Sequence, residues 1–81
     1  MVVTVEFIGA QRAVTKTSKT SLTVGENTTA GEVMKQVLSR YPDLPLEKDA
    51  LLITVNHTPA RPEVRIKDRD VVCLIPHIGG G

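Results

Sequence analysis

Val3, Val5 and Phe7 alternate with Thr4 and Glu6 near the start of the chain. That period of two predicts a strand with one buried face. Gly9 and the polar pair Gln11-Arg12 read as a turn. A polar stretch, Thr15 to Thr20, leads into Ser21-Leu22-Thr23-Val24, which alternates again. Residues 13 to 24 are therefore expected to return antiparallel to the first strand, and Gly25-Glu26-Asn27 to end it.

The period then changes. Ala30, Val33, Met34, Val37, Leu38 and Tyr41 fall at i, i+3, i+4, i+7, i+8 and i+11, a single apolar stripe on a helix. Glu32, Lys35, Gln36, Ser39 and Arg40 fill the other face. Thr29 and Glu32 have capping-box spacing, in which each side chain satisfies the other residue's backbone N–H. Pro42 disfavours helical backbone at Tyr41 and stops the helix there.

Asp43 to Asp49 is expected to be a loop containing Pro45. Leu51-Leu52-Ile53-Thr54-Val55 predicts a third strand, closed by the turn-like Asn56-His57-Thr58-Pro59. Val64-Arg65-Ile66 is a short alternating piece, and Lys67 to Asp70 a charged turn. Val71-Val72-Cys73-Leu74-Ile75 is apolar throughout, as a central strand covered on both sides requires. Pro76 has no N–H to donate and ends it.

The order is β-β-α-β-(β)-β, and the helix must bury its stripe against one face of the sheet. The compact arrangement sets the first and last strands side by side in the centre. The expected fold is α+β: a β-grasp, or ubiquitin-like, mixed sheet of four to five strands on one main helix, with a flexible Gly-Gly C-terminal arm. Residues 1–76 form the β-grasp domain and residues 77–81 a flexible reactive tail. There are no repeats or low-complexity tracts.

At 81 residues the chain is one domain, and a chain of this size buries only about 60% of its unfolded surface. An enclosed active site has little room, which favours a module used by other proteins over an independent enzyme. The net charge of +1 gives no strong basic patch for nucleic acid. Aromatics are 2% of the chain, Phe7 and Tyr41, so bases have no stacking platform. A single cysteine, Cys73, excludes an internal disulfide. Met1 to Ile8 is short and interrupted by Glu6, unlike a signal peptide. No apolar run approaches the ~18 residues needed to span a bilayer. A reducing, cytoplasmic setting is expected.

The last six residues, Pro76-His77-Ile78-Gly79-Gly80-Gly81, should leave the sheet as a free arm. Three glycines at a terminus arise from average usage about once in 3,000 chains. A frayed end is the bland alternative to a functional one. Chemistry supplies a reason for the glycines. A terminal carboxylate can be activated by ATP as a mixed anhydride with AMP, and a sulfur nucleophile can then displace AMP to leave a thiocarboxylate. For this the end of one protein must thread a narrow channel in another, and residues without Cβ permit that close approach.

The stretch Asp68-Arg69-Asp70-Val71-Val72-Cys73-Leu74-Ile75-Pro76-His77-Ile78-Gly79-Gly80-Gly81 resembles the carboxyl end of the MoaD/ThiS family. Thr29-Ala30-Gly31-Glu32, Arg40-Tyr41-Pro42 and Val55-Asn56 are similar to that family too, so the likeness spans the chain. The resemblance implies a sulfur carrier. An E1-like enzyme would adenylate Gly81 with Mg-ATP, with Gly80 carried over beside it. A cysteine desulfurase relay would supply sulfur, and the thiocarboxylate would donate it in molybdopterin (molybdenum cofactor) biosynthesis. The protein would then be a covalent co-substrate and the small subunit of a synthase, bound to its large subunit, with no permanently bound cofactor, metal, nucleic acid or membrane. Two alternatives stay open: a thiamin thiazole sulfur carrier acting with thiazole synthase, and a ubiquitin-like modifier joined to lysines through the same Gly-Gly. Ile75 aligns with an exposed apolar position that docks partners, and Pro76, His77, Ile78 and Gly79 complete the expected contact. On that alignment Val72 and Leu74 point to the helix, and Val71, Cys73 and Ile75 face outward.

Three departures stand out. Arg69 replaces the usual turn glycine, which requires φ < 0 there. Pro76-His77 stands where the molybdopterin branch has Pro-Pro. The extra Gly79 resembles thiamin-branch tails. Other residues have plain readings. Cys73 is a small packing residue before it is a relay thiol. His77 is a solvated spacer before it steers the arm. His57 lacks further ligands at metal spacing. Asp68 and Asp70 belong to a charged turn. Arg12, Lys16 and Lys19 form a solvated edge that discourages strand addition.

Overall fold

The computed structural model describes residues 1–46 and 51–76. The sequence expectations for residues 47–49 of the Asp43–Asp49 loop, and for His77, Ile78, Gly79, Gly80 and Gly81, lie outside the described residues. The elements in chain order are β1 (Val2–Glu6), α1 (Gln11–Thr15), β2 (Lys19–Thr23), α2 (Ala30–Arg40), β3 (Leu51–Val55), β4 (Thr58–Ala60) and β5 (Val71–Pro76).

The five strands form one mixed sheet in the order β2-β1-β5-β3-β4. β1 and β5 are parallel neighbours in the centre. β2 lies antiparallel on β1, and β3 antiparallel on β5. This is the β-grasp arrangement. Central position explains why β5 is apolar throughout: Val72, Cys73 and Leu74 are all buried.

α2 forms where its period places it. Thr29 Oγ1 accepts from Glu32 N–H at 3.3 Å, and Glu32 Oε1 accepts from Thr29 N–H at 3.4 Å, which completes the capping box. Ala30, Val33, Met34 and Val37 are buried against the sheet. Tyr41 meets the Phe7 ring edge to face, with centroids 5.4 Å apart. The core beneath α2 is mainly branched aliphatic, with Val3, Val5, Val33, Val37, Val72 and Leu74 wholly enclosed.

Four expectations change. The segment around Gln11-Arg12, expected to be a turn, is the short helix α1, and β2 begins only at Lys19. One helical turn is too short for periodicity to register. Arg12 therefore lies in α1 and Lys16 caps its end, and of the basic stretch only Lys19 lies on the β2 edge.

The fifth strand is Thr58–Ala60, not Val64–Ile66. Asn56 and His57 both take positive φ, 52° and 67°, and form a two-residue turn that sets Val55 opposite Thr58. Pro59 is tolerated because β4 is an edge strand. Residues 62–66 instead run past the start of α2. The Pro62 and Val64 carbonyls each accept at 2.8 Å from Gly31 and Ala30 N–H, satisfying donors that a helix start leaves free. A Cβ on Gly31 would lie 3.0 Å from Pro62 Cβ and 3.2 Å from its carbonyl oxygen, so glycine fits this close approach.

Arg69 takes φ 71°, not the negative value that a side chain in this turn prefers. Its N–H donates to the Val2 carbonyl at 2.8 Å, which anchors the turn to β1. An Arg69→Gly variant is expected to be more stable by about 0.5–1 kcal/mol, because the left-handed cost borne by a Cβ disappears. Denaturant unfolding checks this; a loss of stability would show that the arginine side chain compensates its backbone.

The fourth change concerns the outer sheet face. Cys73 does point away from α2, as expected, but it is buried, not open. Val71 and Ile75 on the same face are partly exposed.

Candidate functional site

The expected reactive arm follows β5, so the site begins with what holds that strand's two ends. At its start, Asp70 accepts from Lys67 N–H at 2.8 Å and from Asn56 Nδ2 at 3.0 Å. Asn56 returns the tie: its Oδ1 accepts from Val71 N–H at 2.9 Å, and its own N–H donates to the Val71 carbonyl at 2.7 Å. Asp68 accepts from Val2 N–H at 2.8 Å. The two aspartates thus serve as turn fasteners, as the sequence implied.

At the other end Leu52 and Ile75 are register partners on the outer face, and Leu51 pairs with Pro76. Leu52 is 43% exposed, and Ile75 is half-buried beside it. Together they form a small apolar surface at this end of the sheet. Ile75 and Pro76 are the only proposed site residues within the described region, and they are its last two residues.

Next to Ile75 lies an open cleft of about 260 Å³ lined by Glu6, Phe7, Ile8, Arg12, Thr54, His57, Cys73 and Ile75. Glu6, Cys73 and Thr54 sit opposite one another on β1, β5 and β3. Burial pushes the Cys73 thiol pKa up, and the nearby Glu6 carboxylate pushes it further in the same direction. A nucleophilic cysteine needs the reverse, a thiolate favoured by positive neighbours. Cys73 is therefore a packing residue. His57 Nε2 lies 3.9 Å from Glu6 Oε1 with the His57 side chain largely and the Glu6 side chain partly in solvent, and such a pair contributes little. Among the described residues no cluster of three His, Cys, Asp or Glu is placed to hold a metal ion. Nor is any described helix long and apolar enough to cross a membrane.

The cleft therefore offers shape and an apolar rim, without activated groups. Sequence reading gave no role here to Arg12, which lines the cleft, or to its chain neighbour Gln11. Arg12 donates through Nε to the Phe7 carbonyl at 3.0 Å and so lies across the cleft wall. Gln11, behind it, is only 2% exposed and reaches β5, with its Nε2 donating to the Leu74 carbonyl at 2.8 Å. The signal for both was absent, because a polar pair after a glycine is what a turn also shows.

Known structures share this fold. SAMP1 from Haloferax volcanii is similar with a TM-score of 0.80 at 17% identity, and 100% of each chain is covered. A chain of the BexX/CysO complex from Amycolatopsis orientalis is similar at 0.71 and 24% identity, covering 98% of this chain and 99% of that one. A chain of the complex of subunits 1 and 2 of molybdopterin-converting factor from Helicobacter pylori is similar at 0.67 and 23% identity, with 100% of each covered. At these identities the likeness is one of fold. The search of curated protein sequences returned no match. A family model described as the ThiS family matches residues 5–81, from the middle of β1 through the final glycine. With all of the β-grasp sheet but the start of β1, the apolar end of β5 and the Gly-Gly-Gly sequence inside that match, the chain belongs to the ThiS family.

Proposed function

We propose that the protein is a sulfur carrier whose working group is the carboxylate of Gly81, and that it supplies sulfur for molybdopterin biosynthesis. The observation that carries this is the ThiS-family match running to the glycines, on a sheet whose central strand ends at Ile75 and Pro76. A Gly81 carboxylate oxygen attacks the α-phosphorus of ATP, assisted by Mg, in the site of an E1-like enzyme, and pyrophosphate leaves. Sulfide, released from the persulfide of a cysteine desulfurase relay by a thiol reductant that is oxidised to a disulfide, then attacks the acyl carbon, and AMP leaves. The resulting thiocarboxylate gives up its sulfur in the site of a synthase. Gly80 and Gly79 keep the arm narrow, and His77 and Ile78 span from the sheet to the reacting end. The carrier is consumed and regenerated with each sulfur, so it is a co-substrate and holds no cofactor of its own.

Two readings share this activation step. A thiazole-forming synthase is one destination, supported by the family match. Attachment to target lysines is the other, supported by the similarity to SAMP1, which covers the whole chain. The molybdopterin reading draws support from the similarity to a chain in the molybdopterin-converting factor complex, where two subunits assemble.

The test is intact mass after incubation with an E1-like enzyme, Mg-ATP and a sulfide source. Replacement of one oxygen by sulfur at Gly81 is the expected result. No gain with cognate activating enzymes would reject the carrier reading. Partner docking is expected to use Leu52 and Ile75 with the adjoining cleft. Ile75→Lys should weaken binding to the large subunit by about 2 kcal/mol, or roughly thirtyfold in Kd. The charge can extend into solvent from this half-buried position, so the domain should still fold. Unchanged affinity in a calorimetric titration would move the docking surface elsewhere.

A further inference from the structure

β1 and β5 run parallel, with Thr4, Val5 and Glu6 opposite Val71, Val72 and Cys73. Thr4 N–H donates to the Asp70 carbonyl at 2.9 Å. In a parallel ladder these bonds recur evenly at every second residue. Continued along both strands, the pattern runs from Glu6 to Val72 and then from Ile8 to Leu74. That last step is not direct. Ile8 N–H donates to Gln11 Oε1 at 3.1 Å, and Gln11 Nε2 donates to the Leu74 carbonyl at 2.8 Å. A carboxamide carries the same donor and acceptor as a peptide group. Gln11 is thus spliced into the ladder as an additional peptide unit.

The splice satisfies a part-buried donor and a buried acceptor where β1 parts from β5, beside the cleft that Ile8 and Ile75 line. The next backbone group of β5 facing this side is the nitrogen of Pro76, which has no hydrogen to give. Among the described residues the Leu74 carbonyl is the last group of β5 seen tied on the β1 side.

We propose that Gln11 is a positioning residue for the end of β5: spliced between Ile8 and Leu74, it sets how that strand end lies against β1 and so how Gly81 is presented to an activating enzyme. The presentation step rests on the sulfur-carrier reading; the splice does not. Three variants separate the two. Gln11→Met has similar length and neither hydrogen bond. Gln11→Glu keeps the acceptor for Ile8 but donates to Leu74 only when protonated. Val33→Ala is a control that weakens the core at a distance.

In the isolated protein, Gln11→Met should speed amide exchange at Ile8 by about tenfold and change the residual dipolar coupling of the Ile75 amide, while Val33→Ala leaves that coupling alone. In pyrophosphate release with an E1-like enzyme, below the unfolding range, Gln11→Met should raise KM about two- to tenfold and leave kcat alone. Relative to the parent protein at each pH, the Gln11→Glu defect should shrink as pH falls and its carboxyl gains a proton. An unchanged Ile75 coupling with unchanged KM in folded Gln11→Met overturns the proposal, as does an equal KM rise in Val33→Ala. If Gln11→Met does not fold, a pH-independent Gln11→Glu defect overturns it instead. If the parent protein releases no pyrophosphate, the carrier reading fails, and Ile8 exchange and the Ile75 coupling still decide the splice.

Discussion

Removal of Gly80 and Gly81 is expected to abolish sulfur uptake and leave the domain folded. The shortened chain still ends in a glycine carboxylate, now that of Gly79, so the chemistry is not deleted. The reach is what changes: the arm loses about 7 Å of extended chain, far more than a nucleophile can miss in a near-attack geometry of ~3–3.5 Å. Stability should hold because the core among the described residues closes at Leu74 and β5 ends at Pro76. The unfolding midpoint should therefore move by less than the ~4 °C that a 1 kcal/mol change produces in a domain of this size. Intact mass and thermal unfolding, read on the same sample, check both halves. Normal thiocarboxylate formation by the shortened chain would remove Gly81 from the reaction, and a large drop in midpoint would give the tail a structural role.

Leu74→Ala should show the opposite combination. Leu74 is 2% exposed on the central strand, opposite Ile53 and beneath α2, where rigid neighbours on both sides leave little room to collapse. A buried leucine truncated to alanine in such a site costs about 3–4 kcal/mol, through lost transfer energy and the cavity left behind. The midpoint should fall by roughly 15–25 °C. Denaturant titration measures the loss, and a cost below about 1 kcal/mol would mean that the core refills the space. Sulfur uptake should persist at temperatures where the variant stays folded, since its Gly81 arm is intact. The two variants thus separate presentation of the reactive end from integrity of the platform that carries it.

Much of this platform was legible in the residues. Thr29 and Glu32 announce a helix start because their hydrogen bonds reach only three residues. The stripe from Ala30 to Val37 announces a buried face because a helix repeats every 3.6 residues. β5 announces central position because only a strand covered on both sides is apolar throughout. Where the signal was short or conformational, the reading failed. α1 spans little more than one turn, β4 contains a proline, and the positive φ of Arg69 belongs to a residue type that gives no warning of it.

By itself the sequence determined the order of the four long strands and α2, the stripe that α2 buries, the central apolar strand and the glycines placed after it, because each depends on near neighbours and a regular period. Tertiary structure alone decided the register of the ladders, the turn at Asn56-His57 that sets β4, the burial of Cys73 beside Glu6, and the position of Gln11 between Ile8 and Leu74. Those features depend on groups brought together from distant parts of the chain. Gln11 and Leu74 are 63 residues apart in sequence and 2.8 Å apart at their polar atoms. No local pattern encodes such a contact, because the free energy that selects it comes from closing the ladder around two otherwise unpaired buried groups.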